Sequence, residues 1–399
     1  MNQAKSKDPG PHPREHFIPV PLSMLSEELV EHLKHNVNEQ AFRSFAHGLT
    51  LLYDALFSQR LEDLKRLYYP YNPDRPAISP EAVPEKGFAK RKEMIAEIES
   101  LLQRANFQRL DQASLNLALN KTSPEGVIVS VDLDEFDEVL IYYCGSTTRT
   151  VDLPFWRRLL EGKEKADIPV YRRLFVLLKF KNQLEREGGN AVFIKLFKDI
   201  PQSDLETIFP NTKIRLSLFD KVKLGVTGGG GVIAGIMSAT GKIAAAAANP
   251  MAAISAVGAL GAVIWKQVAN VLSQRTEYMA KLAKSLYFYN LDNNAGALAW
   301  LVEVASTEEA KEALLAYGFL LARGEMSRQV LDREVEEFMR ERFSVEMDFE
   351  VDDGLEKLHE LGLLERIGEW NLAVKGREEA CGVLKDRWIG LFPVRGASA

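Results

Sequence analysis

Apolar residues return every three or four positions through much of the first hundred residues, the spacing of amphipathic helices. Ser26 precedes EELVEHLK and reads as an N-cap. Phe42, Phe45, Leu49, Leu52, Leu56, Leu61, Leu64 and Leu67 carry the period across 38–68. A Pro-rich connector fills 70–84, and Met94, Ile95, Ile98 and Leu101 mark a further helix over about 88–105. Near 126 the texture changes to β-branched and aromatic runs, VIVSV (127–131) and VLIYY (139–143), split by an acidic turn. VYRRLFVLLKF (170–180), AVFIKLF (191–197) and IRLSLF (214–219) follow, with Ser203 and Glu206 spaced as a capping box.

The longest apolar stretch lies at 224–265. Leu224 to Gly241 has no charge, Lys242 interrupts, and Ile243 to Trp265 again has none. A membrane-crossing helix needs roughly 20 apolar residues. The pattern predicts a membrane-inserted helical hairpin through Leu224, Gly231, Gly235, Pro250, Ala256 and Trp265, turning at Asn249-Pro250. Its small residues recur at fours, as in close helix pairs in lipid. Lys213, Arg215, Lys221 and Lys223 precede it, and Lys266 and Arg275 follow. Basic flanks at both outer ends place both soluble parts on the cytoplasmic side. The alternative is a Gly/Ala-rich hairpin buried in a soluble core or inserted only on a signal.

Beyond the hairpin the sequence predicts helix over 267–323, with a fresh start at Ser306. Ser327 caps a helix to about 342, a helix at 352–361 ends on Gly362, and LLERI and WNLAV form two short strands before a last helix from about 376. That order outlines a winged-helix-like module. Its charge argues against nucleic acid, because 326–366 holds 13 acids and six Lys/Arg.

The sequence thus predicts an α+β multidomain chain in five parts. These are a flexible tail (1–21), an N-terminal helical region (22–123), a central mixed α+β domain with an antiparallel sheet (124–222), the hydrophobic hairpin (223–267), and a C-terminal helical and winged-helix-like domain (268–395). Composition agrees with a folded chain: 399 residues, 46% hydrophobic, 27% charged. A net charge of -6 provides no global basic field. Two distant cysteines, Cys144 and Cys381, exclude a disulfide scaffold and multi-cysteine zinc sites. The polar, Pro-rich N-terminus does not read as a secretory signal.

Chemical motifs are sparse. SATGK (238–242) and Gly229-x-Gly231 lack the spacing of phosphate and dinucleotide loops. Asp132 and Asp134 after an apolar strand are the best enzymatic candidates, for a phosphatase-like hydrolase with a nucleophile and a general acid. Phe136 stands where that chemistry wants Thr or Val, so a solvated acidic turn is favoured. His32 and His35, with Glu28 one turn earlier, form at most a partial metal face. No catalytic, cofactor or metal residues are assigned. Arg149, Arg157, Arg158, Arg172 and Arg173 lie among aromatics, and Arg157, Arg158 and Arg172 are candidate anionic-lipid contacts. Strict alternation in a strand would put Arg172 and Arg173 on opposite faces.

FIKLFKDIPQSDLETIFP (193–210), the hairpin, LDNNAG (291–296) and MDFEVDDGLEKLHELGLL (347–364) together resemble the domain-of-unknown-function family that includes transmembrane protein 143, with plant, animal and bacterial members. Lys198, Asp199, Ile200, Pro201, Asp204, Glu206 and Pro210 carry its most specific pattern. The resemblance implies a two-span membrane protein and supplies no catalytic residues. The N-terminal texture is not that of an organelle transit peptide, which implies a bacterial, inner-membrane member. The resulting expectation is a non-catalytic scaffold or interaction protein at the membrane surface. Its expected partners are the lipid bilayer and a protein partner or second copy, not nucleic acid.

Overall fold

The computed structural model describes residues 16–75, 87–111, 115, 127–152, 165–181, 190–210, 213–216, 287–366 and 371–391. The predicted hairpin, with Leu224, Gly231, Gly235, Pro250, Ala256 and Trp265, lies outside these residues, as do Arg157 and Arg158. The protein is α+β.

Helices α1 (Leu22–Leu33), α2 (Glu39–Tyr68) and α3 (Gly87–Arg104) follow the predicted periodicity, but α1 starts ahead of Ser26, which lies inside it, with Pro21 in the N-cap position. Asn38 caps α2 by accepting from the Ala41 N–H at 3.1 Å, filling one of the orphan donors of a helix start. A five-stranded antiparallel sheet comes next, in the order β1 (Gln108–Arg109), β3 (Phe136–Asp152), β4 (Lys165–Phe180), β5 (Phe193–Pro201) and β7 (Asn290–Asn293). β4 is apolar on both faces because both faces are covered. Leu140, Tyr142, Cys144, Phe175 and Leu177 join a core shared with the helices, whereas Ile141, Leu174, Val176 and Leu178 join a second, smaller core on the opposite face. Among the described residues, the short strands β2 (Val127–Ser130) and β6 (Lys213–Leu216) pair only with each other. VIVSV and VLIYY therefore belong to different sheets.

Helix α4 (Asn294–Arg323) runs through the middle of the larger core. Phe45 of α2 stacks on Tyr317 of α4 with ring centroids 4.0 Å apart. Two expectations fail here. Asn290–Asn293 is a strand paired with β5 and not helix, and α4 passes through Ser306 without a new start. Ser306 instead bonds Asp54 of α2 at 3.1 Å. Glu308 and Glu309, which would lie in the first turn of a helix starting at Ser306, are buried: Glu308 pairs with Lys311 of the same helix, and Glu309 with Arg104 of α3 and with Lys357. At the end of β5 the chain enters a 3-10 turn, Gln202–Ile208, with Pro201 in the N-cap position. Ser203 is one residue inside it and not in the N-cap position that the predicted capping box requires.

The C-terminal elements follow the expected order: α5 (Arg328–Phe343), α6 (Val351–Leu361), the antiparallel pair β8 (Leu364–Arg366) and β9 (Ala373–Val374), and α7 (Arg377–Gly390). Ser327 caps α5 by accepting from Val330 N–H, and Gly362 ends α6 at φ 77°, a backbone that suits glycine. Among the described residues no helix is long and apolar enough to cross a membrane.

Candidate functional site

Three adjacent strands share one irregularity. Beyond a register shift between Phe136 and Glu138 at the start of β3, pairing between β3 and β4 is continuous except opposite Gly145, and pairing between β4 and β5 is continuous except opposite Asp199. Both gaps fall on Arg172. Gly145 has φ 75° and Asp199 φ 52°, so the flanking strands twist out of extended geometry beside it. The register is unchanged across the gap, but the faces exchange. Tyr171 and Leu174 both enter the smaller core, as do Phe197 and Ile200. Residues three apart cannot share a face of a regular strand. Arg172 and Arg173 therefore reach the same side, against the alternation expected from the sequence.

That side opens into a cavity of about 510 Å³ between the sheet, α4 and the segment Phe17–Pro21. Phe107 and Trp300 form its aromatic wall, edge to face at 6.3 Å. The Arg173 guanidinium lies over Trp300, 6.0 Å from the ring centroid, and donates to the Arg172 carbonyl at 2.8 Å. The Arg172 stem lies across Gly145, where a Cβ would fall 3.0 Å from Arg172 Cδ. Cys144 lines the cavity and is buried within β3, which continues to Asp152.

The segment that closes the cavity was read from sequence as part of a tail. Ile18 is fully buried. Its N–H donates to Glu308 at 3.2 Å and its carbonyl accepts from Lys311 Nζ at 2.8 Å. Glu308 and Lys311 bond each other at 2.7 Å, so one buried ion pair holds both polar groups of one residue. Burial pushes the Glu308 carboxyl up, opposed by Lys311.

About 100° around α4, Glu309 meets Arg104 of α3 at 3.0 Å and Lys357 of α6 at 3.6 Å. Lys357 also contacts Glu312, which accepts from Asn106 at 2.8 Å. Burial alone would lower Lys357, but Glu312 and Glu309 outweigh it and hold the ammonium above its ordinary range.

The LDNNAG stretch joins sheet to helix. Asn294 sits at φ 50° and is buried. Its side-chain oxygen accepts from Ile194 N–H at 3.1 Å and Tyr68 OH at 3.2 Å, and its amide donates to Asp74 at 2.6 Å. A Cβ at Gly296 would lie 2.1 Å from the Asp292 carboxylate, so any larger residue there would have to displace that side chain. Of the pattern at 198–210, Asp199 supplies the left-handed residue in β5. Glu206 is buried, and burial pushes its carboxyl up to about 7.

The other sequence candidates stay apart from this region. Asp132 accepts from the Asp134 N–H at 3.1 Å, starting a 3-10 turn, and both side chains are exposed. His32 packs against Phe338 and Phe319, with centroids 5.1 and 5.8 Å away, while Glu28 pairs with Arg342 at 3.5 Å. Burial and then Arg342 hold His32 below its usual range. Among the described residues, the acids close enough to share a cation are Asp332, Glu336 and Asp348, a grouping common on surfaces without one. The sequence reading named Arg172 but missed Phe107, Trp300 and the 17–21 segment. The one available signal was Gly145, an isolated glycine inside a strand pattern.

No solved structure matches the chain. Residues 136–296 match one family model, described as a protein of unknown function (DUF3754), which covers the sheet from β3, the segment predicted as a hairpin, and the LDNNAG junction.

Proposed function

We propose that the protein is anchored in a membrane by 224–265 and works at the bilayer surface as a non-catalytic scaffold or interaction protein. The observation that carries this reading is the position of that segment between paired strands. β5 precedes it, β7 follows it, and Lys195 pairs with Asn293. The larger core takes side chains from both before and after it. A chain entering a bilayer at this point must therefore return to the same side, as a hairpin does and a single span cannot. Tyr287 and Phe288, 79% and 59% exposed, stand where the described chain resumes, in keeping with aromatic residues at a membrane interface.

The likeness to relatives such as transmembrane protein 143 is part of this reading, as is a bacterial inner-membrane location with both soluble parts cytoplasmic. The five-part domain division is retained with it, except that the end of the expected tail, Phe17–Pro21, packs against the larger core. We read α5, α6, β8–β9 and α7 as a winged-helix-like module for protein contact, with a partner or a second copy. Asp352, Asp353, Glu356 and Glu360 lie on α6, and its one lysine, Lys357, is turned inward onto α4. This face is unsuited to phosphate backbones. The hydrolase alternative at Asp132 and Asp134 is not favoured, because the pair is engaged in its own turn.

Alkaline carbonate extraction of membranes tests the anchor. The full-length chain is expected to stay in the pellet, and the chain lacking 224–265 to be released with its helical circular-dichroism signal retained. Release of the full-length chain would mean that the apolar segment is not a membrane anchor.

A further inference from the structure

We infer that the cavity beneath Arg172 and Arg173 is a binding site for a single-chain anionic amphiphile, with a carboxylate or phosphate head on an apolar tail. This inference does not depend on the hairpin. Its volume, about 510 Å³, falls in the ~300–1,000 Å³ range of small-ligand sites. The walls supplied by Phe17, Val20, Phe107, Trp300 and Val304 are apolar, which suits a hydrocarbon chain.

The head is selected by charge. Three cations and two acids line the cavity. Lys311 and Glu308 neutralise each other and are occupied by Ile18. That leaves two guanidiniums against Glu303, which is exposed at the rim. Neither Arg172 nor Arg173 has a carboxylate within ion-pair distance among the described residues. Two adjacent arginines reach one cavity only because the sheet changes face at Gly145, Arg172 and Asp199. Arg173 is further fixed by Trp300 and by the Arg172 carbonyl. Guanidinium forks suit carboxylate and phosphate oxygens, and prior fixation reduces the ordering cost of binding.

The test is photolabelling of the full-length chain, reconstituted in phosphatidylcholine vesicles, with a diazirine-bearing fatty acid and mapping of the labelled peptides. Label is expected on peptides containing Phe17–Pro21 and Trp300–Thr307, apart from any label within 224–265. Oleate, oleoyl lysophosphatidate or both should displace it. Displacement by one alone identifies the head as carboxylate or phosphate, and each of these results upholds the site. Neutral monooleoylglycerol should compete at least about tenfold more weakly, and Arg172→Gln with Arg173→Gln should cut cavity labelling by about tenfold or more, the scale of a lost charge-assisted bond. Should that double variant not fold, the monooleoylglycerol comparison on the unaltered chain decides. Absence of label at these peptides, equal competition by the neutral lipid, or undiminished labelling of a folded double variant would overturn the proposal.

Discussion

Replacing Lys357 with methionine is expected to destabilise the full-length chain by about 3–5 kcal/mol, the scale of removing one partner from a buried ion pair. Lys357 is buried against Glu312, with Glu309 at 3.6 Å and Asp353 at 3.8 Å. Glu309 would keep Arg104, whereas Glu312 would keep only the Asn106 amide. The loss thus falls mainly on Glu312, an anion left in the core with one neutral donor. Adding Glu312→Gln should recover at least half of it, since removing both charges leaves no orphan. A buried, unpaired carboxylate has a raised folded pKa and binds more protons when folded than when unfolded. The deficit of K357M should therefore be largest at neutral pH and shrink as pH falls toward the unfolded carboxyl value, about 4.3. Urea midpoints of the detergent-solubilised chain across pH 4–8 measure both effects. An unchanged midpoint in K357M would mean that this network does not tie α6 to α4.

The second large effect is expected at Asn294→Ala, about 3 kcal/mol. Two costs combine. The buried Ile194 N–H loses its acceptor on Asn294, worth ~1–3 kcal/mol. Alanine must also hold φ near 50°, which costs ~1–2 kcal/mol and which asparagine tolerates better. Tyr68 retains the Val192 carbonyl at 2.9 Å, so its hydroxyl keeps a partner. Asn294→Gly separates the terms, because glycine accepts the backbone but not the hydrogen bonds. It should be less damaging than alanine by about 1 kcal/mol. Equal midpoints for the two variants would remove the backbone part of this account.

What could be read from the sequence was local. The 38–68 periodicity, the Ser327 cap and the Gly362 stop each act within a few residues, and each appears as expected. What could not be read depends on distant partners. Glu308 resembles the solvated first turn of a new helix until Ile18, 290 residues away, is placed against it. The same holds for Glu312 and Lys357, 45 residues apart. A period-two pattern gave Arg172 and Arg173 opposite faces, because the exchange needs the left-handed residues Gly145 and Asp199 on both neighbouring strands. Asn290–Asn293 reads as the end of a helix until β5 offers it a pairing edge. Of the candidate site, one arginine was visible, while its aromatic wall and closing segment came from parts of the chain with no local signal.

On the membrane-anchored reading the chain leaves the five-stranded sheet after β5, crosses a bilayer, turns near Asn249-Pro250 at its far face, and crosses back to rejoin the sheet at β7. Two-sided labelling with a membrane-impermeant maleimide tests it most directly. Cys381 is exposed on α7, Cys144 is buried, and Asn249→Cys places a thiol at the predicted turn. In right-side-out and inverted vesicles, Cys381 should label from one face only and Asn249→Cys from the opposite face only. Labelling of both from the same face would contradict the claim.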